Sequence, residues 1–184
     1  MSGTRTVRVV LTGPECTGKT TLTADVAREF NAPWLPEAAR VYADKRGQQG
    51  HVLSLADVEP IARQAIAAED AALAAKPPLL VLDTDLLSTV AYSRHYYGTS
   101  SAWLEGEARA RRAALYLLCA PDIPWSADGI RDRPGDRAAM FAHFENVLTE
   151  FGAHFIVIRG LGEARIAAAI QAVAALRLDD LPRD

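Results

Sequence analysis

Short apolar runs alternate with longer amphipathic segments along the chain. The apolar runs, bounded by turn-forming residues, predict five strands at residues 6–12, 34–36, 79–82, 115–119 and 154–158. The segments between them predict seven helices at residues 21–30, 37–45, 54–75, 86–97, 102–112, 137–151 and 162–177. Strands that alternate with helices are typical of an α/β domain, in which a central parallel five-stranded sheet lies between two layers of helices.

Local signals add detail to this pattern. Ser54, followed three positions later by Asp57, predicts a capping box at the start of the long third helix. Pro60 predicts either a kink in that helix or a later start. Residues 121–135 are rich in proline, glycine and charge, which predicts a functional loop, and residues 179–184 are predicted to be a frayed tail.

A glycine-rich motif follows the first predicted strand. Residues 13–20 have the G-x-x-x-x-G-K-T pattern of a phosphate-binding P-loop, and a predicted helix follows at once. Gly13 and Gly18 permit backbone angles that direct N–H groups toward phosphate oxygens. Lys19 is expected to contact the β- and γ-phosphates of ATP, and Thr20 to bind Mg²⁺. The predicted ATP-binding residues are Gly13, Pro14, Glu15, Cys16, Thr17, Gly18, Lys19, Thr20 and Thr21.

Composition and charge narrow the class of protein. The 184 residues suffice for one compact domain, residues 1–184, and the 49% hydrophobic and 23% charged contents are ordinary for a soluble protein. A net charge of −3 gives no basic field for nucleic acid, and no apolar run approaches a membrane span, so neither partner is expected. No signal peptide is predicted, so Cys16 and Cys119 are expected to be free thiols in the cytoplasm.

Three classes of P-loop protein compete. A GTPase needs an Asn/Thr-Lys-x-Asp motif to bind guanine, and the sequence lacks one. A motor or AAA-type ATPase usually needs a longer chain and a second acid or an arginine from a neighbour. A small-molecule kinase needs a compact domain with an acceptor pocket and an arginine-bearing lid. Chain length and the arginine-rich loop therefore favour a kinase with a nucleoside- or adenylate-kinase-like fold and a short lid.

Three carboxylates stand where predicted strands end. Asp83 and Asp85 follow a buried strand, where a Walker-B carboxylate is expected, so Asp83 is predicted to join the Mg²⁺ site. Alternatively, Asp83 or Asp85 only caps the next helix. Glu37 ends the second strand, and open α/β sheets bind ligands at the carboxyl ends of their strands. Any of the three can act as the base for an acceptor hydroxyl, and the sequence does not rank them.

The loop after the fourth strand carries Trp125, Asp128 and three arginines, Arg131, Arg133 and Arg137. Arginines that close over transferring phosphates stabilise the charge that develops there, although Asp–Arg pairs in a solvated loop would give the same composition. Trp125 either stacks on a planar ring of the ligand or packs beneath the loop. Its place beside a proline in a polar loop favours stacking, and a cationic ring would gain further from the aromatic face.

Together these residues resemble the nicotinamide riboside (ribosylnicotinamide) kinase domain of bacterial NAD-salvage proteins. The resemblance covers about residues 6–177 and is carried by the P-loop through Leu22, Trp34, residues 37–42, the Asp83-Thr84-Asp85 run, Thr89, Tyr92 and residues 124–131. The P-loop is common to many families, whereas the Asp-Thr-Asp and Pro-Trp-Ser-Ala-Asp-Gly-Ile-Arg runs are distinctive. The resemblance implies ATP- and Mg²⁺-dependent phosphorylation of the riboside 5′-hydroxyl, which gives nicotinamide mononucleotide.

The resemblance also implies roles for single residues. Trp125 would stack on the pyridinium ring with Tyr42 or Tyr92 on another side, and Asp85 and Asp128 would hold polar or ribose groups. Arg131 and Arg137 would serve the lid. The expected substrate-binding residues are Glu37, Arg40, Tyr42, Asp85, Tyr92, Trp125, Asp128 and Arg131, and the expected catalytic residues are Lys19, Glu37, Asp83, Asp85, Arg131 and Arg137.

Two other functions stay open at this point. One is a kinase for a different small acceptor, such as a deoxynucleoside. The other is a non-enzymatic regulatory module that uses ATP as a switch. The carboxylates beside an aromatic-bearing loop argue against the switch, because a switch needs no acceptor pocket.

The stacking role of Trp125 can be tested directly. We expect Trp125→Ala to raise KM for the riboside much more than KM for ATP, because the ring would contact only the acceptor. Steady-state kinetics with each substrate varied in turn measures both constants. Equal effects on the two constants would contradict stacking on the acceptor.

Overall fold

Five parallel strands and seven helices make up the part of the chain that the structure, a computed structural model, describes: residues 6–45, 53–124 and 137–176. The strands are β1 (Val7–Thr12), β2 (Trp34–Leu35), β3 (Leu79–Asp83), β4 (Leu115–Cys119) and β5 (Phe155–Ile158). The helices are α1 (Lys19–Glu29), α2 (Ala38–Lys45), α3 (Leu55–Ala74), α4 (Leu86–Tyr97), α5 (Ala102–Ala110), α6 (Arg137–Glu150) and α7 (Gly162–Ala174).

The strands form one sheet in the order β2-β3-β1-β4-β5, and every neighbouring pair is parallel. The predicted parallel five-stranded sheet is therefore confirmed. β1 lies at the centre, where Leu11 is in register with Asp83 of β3 and with Leu117 of β4. The segment that follows β1 thus leaves the sheet between the carboxyl ends of two other strands, which is where α/β sheets bind ligands.

The central strands are buried on both faces, because successive side chains point to opposite sides of the sheet. Val9 and Leu11 belong to a cluster of apolar residues formed with α1 and α7. Val10, between them, belongs to a second cluster formed with helices α3 to α6. The sheet is thus the middle of three layers, as the continuous apolar runs predict.

The start of α1 differs from the predicted one, whereas α3 starts where the predicted Ser54 cap places it. α1 begins at Lys19, two residues early, because the P-loop runs straight into the helix with Gly18 as its N-cap. α3 begins at Leu55, so a later start at Pro60 is wrong. The predicted capping box holds this first turn: the Asp57 carboxylate accepts hydrogen bonds from the backbone N–H of Ser54 at 2.9 Å and from its hydroxyl at 2.7 Å.

Some sequence predictions fall outside the described residues. These are the tail at residues 179–184 and most of the functional loop, including Trp125, Asp128, Arg131 and Arg133. Both cysteines are free thiols, as predicted, and Cys119 is fully buried in β4. None of the described helices has the length and apolar character that crossing a bilayer would require.

Candidate functional site

The P-loop turns tightly over the end of β4. Gly13 has φ of 126°, and a Cβ atom at this position would lie 2.8 Å from the carbonyl oxygen of Cys119. Gly18 has φ of 72°, and a Cβ there would lie 2.8 Å from a methyl group of Ile123. Backbone angle therefore favours glycine at both positions, and space requires it at Gly13, where the contact is with backbone. Cys16 also has positive φ, 53°, which the sequence pattern does not reveal.

Lys19 is buried and folds back along the loop. Its ammonium donates to the carbonyl oxygens of Gly13 at 3.1 Å and Pro14 at 2.7 Å, and lies 3.4 Å from the hydroxyl of Tyr92. Within the described residues no carboxylate forms an ion pair with this ammonium. A buried cation among neutral oxygens at the start of a helix is suited to an anion.

Thr20 and Asp83 meet beside the P-loop. The Thr20 hydroxyl donates to Asp83 Oδ2 at 2.5 Å, whereas Asp83 Oδ1 is buried with no hydrogen-bond partner. Burial raises the pKa of the Asp83 carboxyl, and the nearby charge of Glu37 raises it further, against the lowering effects of the Thr20 hydrogen bond and the charge of Lys19. A hydroxyl and an orphaned carboxylate oxygen form a donor set that fits Mg²⁺. No group of three or more His, Cys, Asp or Glu side chains elsewhere in the described residues could hold a metal ion.

The half-buried Asp85 and the buried Tyr116 form a hydrogen-bonded pair at the start of α4. Asp85 Oδ1 accepts from the backbone N–H of Ser88 at 3.0 Å and Oδ2 accepts from the Tyr116 hydroxyl at 2.7 Å. Burial raises the pKa of the Asp85 carboxyl. Burial and then the charge of Asp85 raise the pKa of Tyr116. Asp85 therefore caps α4, the alternative that the sequence left open, and both of its oxygens are bound within the protein.

Two arginines hold the outer side of the P-loop. Arg137, at the start of α6, donates to the carbonyls of Cys16 at 3.2 Å and Ile123 at 2.9 Å. Arg165 on α7 is buried and donates to the carbonyls of Thr17 at 3.0 Å, Gly160 at 3.0 Å and Ala120 at 3.3 Å.

Buried side-chain polar atoms without a hydrogen-bond partner gather at this loop. Among residues 6–45, 53–124 and 137–176 these atoms are Asp83 Oδ1, Arg137 Nε and Arg165 Nε. Such atoms are rare in folded proteins, and each calls for a physical reason. Their side chains all contact the P-loop, at Thr20, Cys16 and Thr17, so the unsatisfied polar atoms are concentrated around this loop.

A cavity of about 200 Å³ opens at the carboxyl ends of β2 and β3, between α2, α3 and α4. Three of its lining residues carry carboxylates: Glu37, Glu69 and Asp85. The remaining wall is mostly apolar and aromatic, with contributions from Leu35, Val41, Val58, Ile61, Leu82, Leu86, Tyr92, Tyr96 and Tyr97. The cavity thus has the character of a small-molecule site, apolar with a few convergent polar groups.

The structure brings most of the described predicted residues to this cavity or to the P-loop, but not all. Glu37, Asp85 and Tyr92 line the cavity. Arg40 is exposed and Tyr42 is buried, and neither lines it; the Tyr42 hydroxyl donates to Asp57 Oδ1 at 3.1 Å instead. Tyr42 therefore supports the first turn of α3.

Sequence reasoning missed four contributors to the site. Glu69 lines the cavity and forms a largely buried ion pair with Arg8 of β1. Tyr96 lines the cavity and Arg165 holds the P-loop. Arg8 is a charged residue inside the apolar run of β1, and this position indicates that it has a buried partner. An arginine in the alanine-rich last helix is a weaker signal for Arg165.

The fold and the loop define the class: a domain with the P-loop kinase fold. A family model described as an AAA domain matches residues 8–165, and the chain belongs to that family. The family includes proteins with the P-loop, so this membership agrees with the motif at residues 13–20.

Two curated relatives are NadR proteins from different bacteria. The trifunctional NAD biosynthesis/regulator protein NadR of Salmonella typhimurium is 30% identical over 145 residues, which are 77% of this chain and 34% of that protein. The NadR protein of Escherichia coli K12 is 29% identical over 145 residues, which are again 77% of this chain and 34% of that protein. The chain therefore spans about a third of the length of these relatives. The predicted resemblance to the kinase-containing NAD-salvage proteins is confirmed.

Solved structures agree on the fold. A crystal structure of NadR protein in complex with NR has a TM-score of 0.79 at 22% identity, covering 97% of this chain and 52% of that one. A crystal structure of thymidylate kinase from Ehrlichia chaffeensis has a TM-score of 0.66 at 13% identity, and the match covers 94% of this chain and 98% of that one. The predicted nucleotide-kinase-like fold is confirmed.

The burial of Asp83 makes stability depend on pH in a defined direction. The pKa of Asp83 in the folded chain lies above its value of about 3.9 in the unfolded chain. The contribution of the protonated carboxyl to stability is therefore complete below a pH of about 3.9 and is lost as the pH rises through the pKa of the folded chain. We expect Asp83→Asn to raise the free energy of unfolding at pH 7.5, with a gain that shrinks toward pH 4. Chemical denaturation without ATP or Mg²⁺ measures this.

Asp70→Asn is the matched control for that experiment. A hydrogen bond from Arg111 lowers the pKa of the exposed Asp70 carboxyl, so this substitution should destabilise slightly at pH 7.5 and less at acid pH. If Asp83→Asn were destabilising at pH 7.5, burial would not dominate the energetics of Asp83.

Arg165 should stabilise the P-loop region substantially. Arg165→Met leaves carbonyls of Thr17, Gly160 and Ala120 without their charged donor, and we expect a loss of about 2–4 kcal/mol in unfolding free energy. Arg28→Met, which removes an exposed ion pair with Asp25 on α1, should change it by less than about 0.5 kcal/mol. If the Arg165→Met protein were as stable as the wild type, the hydrogen bonds of Arg165 would not stabilise the P-loop region.

Proposed function

We propose that this chain is an ATP-dependent kinase that phosphorylates the 5′-hydroxyl of nicotinamide riboside to give nicotinamide mononucleotide. The observation that carries the proposal is the arrangement of two sites: a P-loop and an aromatic-lined cavity with carboxylates in its wall, which share α4 and the end of β3. A nucleotide switch needs only the first site. A kinase needs both, because donor and acceptor must be held in contact.

The donor side would be formed by the P-loop residues 13–21. The backbone N–H groups and Lys19 would hold the phosphates, and Arg137, already at the loop, would stabilise charge on the transferring group. Thr20 and Asp83 would hold Mg²⁺, which supplies neutralisation of the phosphate oxygens. Arg131 is proposed as a second lid residue from the sequence alone.

The acceptor side would be the cavity. Lys45 lines the cavity and Glu69 is paired with Arg8, so Glu37 is the carboxylate proposed to attract the positively charged pyridinium ring of nicotinamide riboside. Tyr92 on the wall, and Trp125 and Asp128 from the sequence, are proposed to contact the riboside. Support from known proteins is the name of the curated relatives and the NR bound in the NadR crystal structure.

Glu37 is the carboxylate best placed to act as the base. Asp85 has both oxygens bound by α4 and Tyr116, and Asp83 contacts Thr20. Glu37 lines the cavity and is close enough to Asp83 to raise its pKa. In the proposed reaction the 5′-oxygen bonds to the γ-phosphorus, the bond to the β-phosphate oxygen breaks to release ADP, and Glu37 takes the hydroxyl proton.

A kinase assay across a nucleoside panel tests the proposal. With Mg-ATP we expect phosphate on the 5′-oxygen of nicotinamide riboside, read by phosphorus NMR of the product, and much slower reaction with thymidine, uridine and deoxycytidine. Glu37→Gln should lower kcat by about 10²–10⁴ with KM for ATP nearly unchanged. Glu29→Gln, at an exposed position at the end of α1, is the control.

Three results would contradict parts of this proposal. Phosphorylation of another nucleoside but not the riboside would refute the substrate. Slow ATP hydrolysis that no nucleoside stimulates would refute the kinase and favour a nucleotide switch. A Glu37→Gln enzyme with wild-type kcat would move the role of base to Asp83 or Asp85.

A further inference from the structure

Two tyrosines on α4 face both sites at once. Tyr92 and Tyr96 are one helical turn apart, and their rings are nearly parallel, 7° between planes, with centroids 6.3 Å apart. Both rings line the cavity. Both hydroxyls bind the P-loop: Tyr92 donates to the carbonyl of Gly13 at 3.0 Å, and Tyr96 donates to Glu15 Oε1 at 2.6 Å. One pair of rings is therefore the wall between acceptor cavity and P-loop.

Glu15 places a carboxylate within the loop that is predicted to bind phosphate. A carboxylate within a few ångströms of a triphosphate repels it, and the repulsion is stronger where the site is partly buried. The hydrogen bond from Tyr96 is charge-assisted and directs the carboxylate toward α4. The Tyr96 hydroxyl is thus one of the contacts that set where the negative charge of Glu15 lies relative to the loop.

We propose that Tyr96 is a positioning residue that couples the two sites: an acceptor packed against its ring in the cavity fixes the ring, and the ring fixes Glu15 away from the phosphates. This inference rests on the proposed function, since it requires an acceptor in the cavity. It makes the binding of acceptor and of ATP mutually favourable. Because coupling between two sites is reciprocal, the acceptor must strengthen nucleotide binding by the same factor as the nucleotide strengthens acceptor binding.

The coupling factor can be measured by calorimetry. The dissociation constant of AMP-PNP from the protein is determined in the presence of Mg²⁺, with and without a saturating nucleoside. The nucleoside is nicotinamide riboside or whichever nucleoside the panel shows to be the acceptor. For the wild type we expect the nucleoside to tighten AMP-PNP binding at least about fivefold, the lower end of typical couplings. For Tyr96→Phe, which keeps the ring and removes the donor, we expect less than about twofold.

Glu15→Gln separates positioning from packing. It removes the charge that Tyr96 controls, so the coupling should again fall below about twofold, and Tyr96→Phe should have no further effect in the Glu15→Gln background. A role of Tyr96 in packing alone would be unaffected by a change at Glu15. The pair of variants also keeps the test valid if Tyr96→Phe proves poorly folded.

Tyr97→Phe is the matched control. Tyr97 lines the same cavity on the same helix, but its hydroxyl donates to the carbonyl of Leu53 at 2.5 Å, at the start of α3. Its removal should leave the coupling factor as in the wild type, even if acceptor affinity changes.

Each outcome is decisive. Wild-type coupling in Tyr96→Phe, additive effects in the double variant, or loss of coupling in Tyr97→Phe would each overturn the inference while leaving the kinase proposal intact. A wild-type protein that phosphorylates nucleosides but shows no coupling would do the same. A protein that phosphorylates no nucleoside would overturn both, and the panel alone shows this.

Discussion

The close approach of the P-loop to β4 is the constraint on which the site depends. β1 lies between β3 and β4, so the chain that leaves it must turn over the end of β4, where the backbone of Gly13 meets the carbonyl of Cys119. A side chain at that position would collide with backbone, which cannot move without displacing a central strand. The loop is therefore held to one path, and the same register that creates the crowding also brings Asp83 beside Thr20.

That crowded position is also where the protein concentrates its buried charge. Lys19, Asp83 and Arg165 are buried at the loop and Arg137 is half-buried there. Asp83, Arg137 and Arg165 each keep one buried atom without a hydrogen-bond partner. Burying charge in this way is unfavourable for folding unless each group is paired. The apolar clusters on both faces of the sheet offset that cost. The fold thereby maintains an anion-binding loop whose charges are preorganised, which is the condition for strong electrostatic stabilisation of a transferring phosphoryl group.

The parts of this molecule that could be predicted from sequence are those with local signals. The P-loop, the five apolar strands and the acids at the ends of β2 and β3 all follow from spacing and residue type within a few positions. Arg165, Tyr96 and the Arg8–Glu69 pair could not be predicted, because their partners lie far along the chain and depend on strand order. The family resemblance implies a ligand contact for Tyr42, whereas in the structure the Tyr42 hydroxyl donates to Asp57 Oδ1 in the first turn of α3.

Helix α4 carries a row of polar residues on one face, and this row forms part of the site. Asp85, Ser88, Tyr92 and Tyr96 recur at intervals of three or four residues, so they occupy one face. Asp85 caps the helix and the Ser88 hydroxyl lies 2.8 Å from that of Thr12 at the end of β1, while both tyrosines reach the P-loop. A polar stripe of this kind normally indicates a face in water. Here the stripe faces the end of the central strand and the loop that follows, where it contacts the Thr12 hydroxyl, the Gly13 carbonyl and the Glu15 carboxylate. The polar stripe on α4 therefore orients the helix against the P-loop, and the apolar faces of the same tyrosine rings are left to line the cavity.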